Sequence, residues 1–204
     1  MKTLIIAGAA AIAFAAPAQA EIEGDIGLTY NSQYNFRGVN GLLGDDTEVF
    51  DTELNLAYSL NDEWSLVAGV NITGYIDTGI DHNSYRVGLR NTTDCYTVEL
   101  GYQSQDLDIL GFELDTDEIY LNVSTGCPLT GSKLNLFVAH DGDQINGTYA
   151  ELSLNKAWDY NETTGVDVTA GVSYSFDYAG VGSDWNHAYI RLAFPIKATE
   201  TLVV

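Results

Sequence analysis

Residues 22–36 read IEGDIGLTYNSQYNF. The even positions carry Ile22, Gly24, Ile26, Leu28, Tyr30, Ser32, Tyr34 and Phe36, and the odd positions carry Glu23, Asp25, Gly27, Thr29, Asn31, Gln33 and Asn35. Successive side chains of an extended chain point to opposite faces, so this alternation describes a strand with one apolar and one polar face.

The same period returns at Leu54–Leu60, Trp64–Ile72, Tyr85–Leu89, Tyr96–Tyr102, Ile119–Val123, Leu134–Val138, Ala150–Leu154, Val166–Phe176 and Ile190–Ile196. With the first stretch these make ten strands, and no segment after residue 20 has a 3.6-residue period. Connections alternate between short polar turns (61–63, 91–94, 125–131, 159–165, 197–200) and longer, acidic or glycine-rich segments (37–48, 77–83, 104–116, 140–147, 179–186). Outer-membrane barrels alternate in this way, with short periplasmic turns and longer extracellular loops. The expected fold is therefore all-β, a transmembrane antiparallel up-and-down β-barrel of about 10–12 strands.

A soluble lipocalin-like barrel or a sandwich shares the period but turns its apolar face inward. Two details favour lipid. The polar face is built from Gly, Ser, Thr, Asn and Tyr, where a soluble surface carries more Lys and Glu. Aromatic residues also gather at strand ends: Tyr34, Phe36, Tyr174, Phe176 and Tyr178 at the outer end, and Tyr58, Trp64, Tyr96, Trp158 and Phe194 at the inner end. Membrane barrels carry such girdles at both interfaces.

Composition removes other classes. The 204 residues hold 29 acids against 8 bases, a net charge of −21, and phosphate binding needs clustered Lys and Arg, so nucleic acid is not an expected partner. A 46% apolar, aromatic-rich chain does not match the signature of disorder. The opening MKTLIIAGAAAIAFAAPAQA has a basic start, a short apolar stretch and Ala18-Gln19-Ala20 before the cut. It reads as a cleaved signal peptide over residues 1–20 rather than a membrane anchor, leaving one barrel domain over 21–204. Thr201–Val204 reads as the opening of an eleventh strand without a terminal aromatic residue. Either ten strands close with a short tail, or the chain is part of a twelve-stranded barrel incomplete at its C-terminus; the second reading is favoured, since an open edge in lipid is untenable.

Ser32-Gln33-Tyr34-Asn35-Phe36-Arg37-Gly38 resembles the S-x-Y-x-F-R-G signature near the mature N-terminus of the TorF-type porin family of Gram-negative bacteria. Only this heptad is specific; the rest of the chain is similar in its hairpin pattern. The resemblance implies an outer-membrane barrel of poorly defined substrate and carries over no catalytic residue.

Strand parity turns Arg37, Arg86, Arg90, Glu99, Lys133, Glu151, Asp167 and Arg191 toward the lumen. A four-residue turn at 91–94 is expected to pair Arg90 with Cys95, Gly88 with Thr97, and Arg86 with Glu99 as a cross-strand ion pair. That pair either braces the lumen or takes part in selectivity. Over the whole polar face, which also holds Glu23 and Asp25, inward acids outnumber inward bases, which implies a mild cation preference for a channel passing small solutes or ions. A plugged structural or adhesive barrel acting through its loops is the alternative. The expected partners are outer-membrane lipid, the periplasmic chaperone and barrel-assembly machinery, and the solutes themselves. Cys95 and Cys127 fall at the inner rim of neighbouring strands and are a candidate disulfide, with two free thiols as the alternative.

His82, His140 and His187 fall at the outer end near Asp81, Asp141, Asp143 and Asp184, which suggests a rim dyad or metal site. No HExxH or GxSxG string accompanies them, so neither an enzyme nor a metal or other cofactor is expected, and a rim hydrolase or soluble periplasmic binding protein ranks lower. Asp141–Gly147 has the flavour of a calcium loop but not the EF-hand spacing, since Ile145 occupies a ligand position. Asp45-Asp46 and Asp106-Asp108 read as acidic loops, solvated or sharing divalent cations with anionic headgroups.

Overall fold

The structure is a computed structural model, and it describes residues 22–31, 48–75, 81–109, 112–127, 131–161, 164–178 and 182–194. The signal stretch, the heptad 32–38 with Arg37, Asp45-Asp46 and residues 195–204 lie outside the described residues. Ten strands run in chain order: β1 (Ile22–Asn31), β2 (Val49–Ser59), β3 (Trp64–Tyr75), β4 (Asp81–Thr92), β5 (Tyr96–Ile109), β6 (Phe112–Cys127), β7 (Ser132–Asp141), β8 (Gly147–Asp159), β9 (Gly165–Phe176) and β10 (Asp184–Ala193). They form one antiparallel sheet in the order β1 to β10, each strand beside its chain neighbours. The two edges, β1 and β10, are not paired with each other, so the sheet is an up-and-down meander without closure.

The two faces are inverted relative to a protein that folds in water. Leu28, Ile26 and Ile190 are 79%, 74% and 76% exposed, while Glu118 and Ser173 are 0% and 1% exposed. A flat sheet would leave both faces open, so burial of polar side chains on one face alone means that the sheet curls around it. Contacts that skip a strand show the curl. Arg86 of β4 donates to Asn55 Oδ1 of β2, and Tyr189 Oη of β10 donates to Glu151 Oε1 of β8 at 2.7 Å.

Glycines make those crossings feasible. Arg86 is directly opposite Gly69, Tyr120 opposite Gly101, and Tyr189 opposite Gly171. A Cβ on any of the three would sit 2.6 Å from the side chain lying over it. In a strand interior, glycine marks such close approaches.

The turns at one end of the sheet are closed by side chains. Asn61 Oδ1 accepts the N–H groups of Glu63 and Trp64, and Asn161 Oδ1 accepts that of Thr164. Asn favours these turns because its side chain mimics a backbone carbonyl. Thr93 does the same work between β4 and β5: its Oγ1 accepts from Tyr96 N at 3.2 Å while its own N–H donates to Tyr96 O at 2.8 Å. The turn is thereby centred two residues beyond the expected position, and the pairing becomes Arg90↔Glu99, Gly88↔Gly101 and Arg86↔Gln103. The expected Arg86–Glu99, Gly88–Thr97 and Arg90–Cys95 pairs are corrected accordingly.

At the opposite end, strands run further than their polarity suggested. Asp106 and Asp108 are not in a loop: β5 continues to Ile109 and β6 begins at Phe112. Asp106 lies directly opposite Asp115 in that ladder. Residues read as parts of the 77–83, 125–131 and 179–186 connections likewise belong to β4, β6 and β10. Exposed Trp64, Tyr96 and Trp158 lie at one end of the sheet, and Tyr30, Phe50, Phe176 and Trp185 at the other. Tyr178 departs from the expected girdle, being fully buried on the polar side.

Candidate channel wall

The polar face carries seven of the eight sequence-derived candidates, and Arg37 lies outside the described residues. The cross-strand register strings Arg90, Glu99, Asn122, Phe137, Glu151 and Ser173 into one row, and Lys133, Asn155, Thr169 and Arg191 into a second. Asp167 accepts from Asn155 Nδ2 on the same face, and Lys133 is exposed at its rim.

Glu99, 4% exposed, is the most fully engaged of these groups. Arg90 grips its Oε2 through Nε at 2.9 Å and Nη2 at 2.8 Å, and Tyr120 Oη donates to Oε1 at 2.6 Å. Charge-assisted bonds of this kind are the strong ones, and burial without them would be costly. Arg86, the expected partner, instead lies across Gly69 toward β2, where it bonds Asn55 and approaches Glu53 Oε1 at 3.6 Å.

Toward the other edge, Glu151 accepts Tyr149 Oη at 2.6 Å and Tyr189 Oη at 2.7 Å. The His187 ring stacks near both tyrosines, 6.3 Å from Tyr149 and 5.8 Å from Tyr189, while Ser173 Oγ lies 2.7 Å from its Nδ1. A bulge between Trp185 and Ala188 sets two residues of β10 opposite Ser173 and re-aims His187. Phe137, Glu151, His187, Tyr189 and Arg191 border an open hollow of about 490 Å³. Arg191 has its guanidinium carbon 5.8 Å from the Tyr189 ring centre.

Above this hollow two loops fold onto the wall. Ile145 and Tyr178 pack with Tyr149, and Thr148 bridges Asp177. Tyr178 Oη reaches Glu118, which also accepts from Gln103 and Gln105. The calcium-like segment is used internally. Asp141, fully buried, accepts the N–H groups of Asp143 and Asn146 on Oδ1 and of Asp117 on Oδ2.

The three histidines do not assemble into the suggested rim dyad or metal site. His82 Nε2 meets Gln105 Oε1 at 3.0 Å on the polar face, His140 is exposed with Nδ1 at 2.9 Å from Thr148 Oγ1, and His187 sits in the β10 bulge. Among the described residues no group of three or more His, Cys, Asp or Glu side chains could hold a metal ion. Cys95 is exposed with a free thiol, so the expected Cys95–Cys127 bridge is absent from this structure. Extending the Tyr96↔Thr125 register by one residue sets Cys95 opposite Gly126 rather than Cys127. The Cys127 side chain lies outside the described residues.

Sequence reasoning missed Glu53, Glu118, Tyr120, Tyr149 and Tyr189. For Tyr120 and Tyr189 the available signal was a glycine directly opposite, readable only once the register is known. The chain matches no protein-family model, no curated protein and no solved structure.

Proposed function

We propose that this chain is an outer-membrane β-barrel forming a narrow, porin-type channel for passive diffusion of small solutes or ions, with a mild preference for cations. The inversion of its faces carries the reading: apolar side chains are exposed and polar or charged ones buried. In water that arrangement forgoes roughly 25 cal/mol for every Å² of apolar surface left uncovered, whereas hydrocarbon favours it. The apolar stripe of β3 from Trp64 to Ile72 covers nine residues, matching the roughly 9–11 of a tilted membrane strand. Closure is required in that setting, because unpaired edge groups have no partner in hydrocarbon. The export signal and the heptad resembling TorF-type porins support the same compartment, with lipid and the assembly machinery as partners.

The test is expression in a Gram-negative host, fractionation, and planar-bilayer recording across a salt gradient. Discrete conductance steps with a cation-selective reversal potential are expected; no steps, or clear anion selectivity, would count against the channel. A second reading, a plugged scaffold, is favoured by one observation, the Ile145 and Tyr178 cap packed on Tyr149. Liposome swelling with sugars of graded size separates the two, since a plugged barrel passes none.

A further inference from the structure

We infer that β1 and β10 close the sheet directly on each other, in a register that lays Arg191 across Gly27 and against the carboxylate of Glu53. The inference rests on the barrel reading, takes its ten-strand form in place of the twelve-strand form favoured from the sequence, and adds the identity of the joint. In three places a long polar-face side chain is directly opposite a glycine and lies over it toward the strand beyond: Arg86 over Gly69, Tyr120 over Gly101 and Tyr189 over Gly171. Gly27 has the same parity in β1, yet a Cβ there would meet only Glu53 Cβ, at 3.7 Å. Glu53 is its direct partner in β2. Arg191, on the polar face of the opposite edge, is exposed, and among the described residues it touches only the Tyr189 ring. Glu53 meets Asn55 and Arg86 through Oε1 alone, leaving Oε2 to accept.

Barrel geometry admits this register, and Gly27 chooses it among the values that geometry allows. The perpendicular row that starts at Ile22 passes through Tyr58, Leu100 and Tyr174 and ends at Trp185. Setting Arg191 opposite Gly27 advances five residues along β1, from 22 to 27. It also advances five along β10, from 185 to 191 less the one residue inserted at the bulge. The shear is therefore ten. With about 3.3 Å per residue and about 4.8 Å between strands, ten strands at that shear tilt by about 35°. A shear of eight gives about 29°, below the observed range of about 35–45°. A shear of twelve gives about 40° but sets Arg191 opposite Thr29, so Gly27 would have nothing lying over it. Odd values would put apolar side chains on the polar face.

Cysteine pairs test the register in membranes holding the full chain with Cys95→Ser and Cys127→Ser. Leu28→Cys with Ile190→Cys is the directly opposed lipid-facing pair, and mild oxidation should cross-link it within one chain. The flanking pairs, Ile26→Cys or Tyr30→Cys with Ile190→Cys, are diagonal at about 7–8 Å and should cross-link several-fold less. Preferential cross-linking of a flanking pair overturns the register, and disulfide dimers overturn the joint within one chain. Hydrogen exchange on the unsubstituted protein covers variants that fail to fold: β1 and β10 amides should exchange as slowly as those of β4 and β5. Fast exchange at both edges overturns the joint. Conductance without a cross-link would sink the joint and leave the channel reading standing, while a cross-link without conductance would do the reverse.

Discussion

Tyr178 donates its phenolic hydrogen to Glu118, sixty residues earlier in the chain, and so ties the connection between β9 and β10 to β6. Replacing Tyr178 by Phe removes one donor from a fully buried carboxyl group, at a cost of about 1–3 kcal/mol. The cap over Tyr149 should loosen. If it narrows the proposed channel, single-channel current at fixed voltage will rise in the variant; unchanged current would mean that the cap lies off the ion path.

Arg90 and Glu99 should be energetically coupled and Arg86 and Glu99 should not. Arg90→Gln leaves a nearly buried carboxylate with only the Tyr120 hydroxyl, whereas Arg86→Gln removes contacts to β2. In double-mutant cycles read by urea unfolding, the Arg90 cycle with Glu99→Gln should return a coupling on the order of 1–3 kcal/mol. The Arg86 cycle with Glu99→Gln should stay within about 0.5 kcal/mol.

The polar-face glycines should resist alanine. A methyl at Gly171 would lie 2.6 Å from the Tyr189 ring, and one at Gly101 would lie 2.6 Å from that of Tyr120. Overpacking of this kind typically costs about 1–3 kcal/mol. Gly74 and Gly126 have nothing within 4 Å of the same position, and their alanine variants should unfold within about 0.5 kcal/mol of the parent. Equal effects at all four would show that the side chains do not lie across the glycines.

A charge placed on the apolar face distinguishes lipid from water as the surrounding medium. Leu100, 56% exposed and within the apolar stripe of β5, should cost about 2–4 kcal/mol on replacement by Arg in a bilayer. In water the same change would raise solubility and leave stability nearly untouched. Refolding into vesicles of defined thickness measures the difference, and a neutral outcome there would argue against a membrane-facing surface.

Cys95 should react with a maleimide in the unreduced protein, since its thiol is exposed and free. Cys95→Ser should shift stability by no more than about 0.5 kcal/mol. Resistance to labelling that disappears on reduction would instead point to a bridge.

The strands and their two faces are legible from period two alone, because alternation is a local property of the chain. It assigned Arg86, Arg90, Glu99, Lys133, Glu151, Asp167 and Arg191 to one face without any knowledge of contacts. The β4–β5 partners were not legible, since a single hydrogen-bonded side chain, Thr93, moves the turn centre and every pair above it. Asp106 and Asp108 look like loop residues because acids suggest solvent, yet backbone pairing continues past the apolar stripe. Tyr178 looks like a girdle residue because its burial depends on Glu118, far away in sequence.

Each strand of this sheet borders only its neighbours in the chain, and that has a kinetic meaning. Every ladder can be laid down as a local hairpin, with seventeen residues between β1 and β2 and two to seven between the other pairs, so little entropy has to be overcome. The ends of the meander are the exception. If the sheet closes as proposed, joining β1 to β10 spans more than 150 residues and would be the slow, late event, the step at which an assembly factor would have most to gain. Until it happens, two strand edges stay open to the wrong partner. Mutations at the ends of the chain should therefore slow maturation more than they weaken the finished fold.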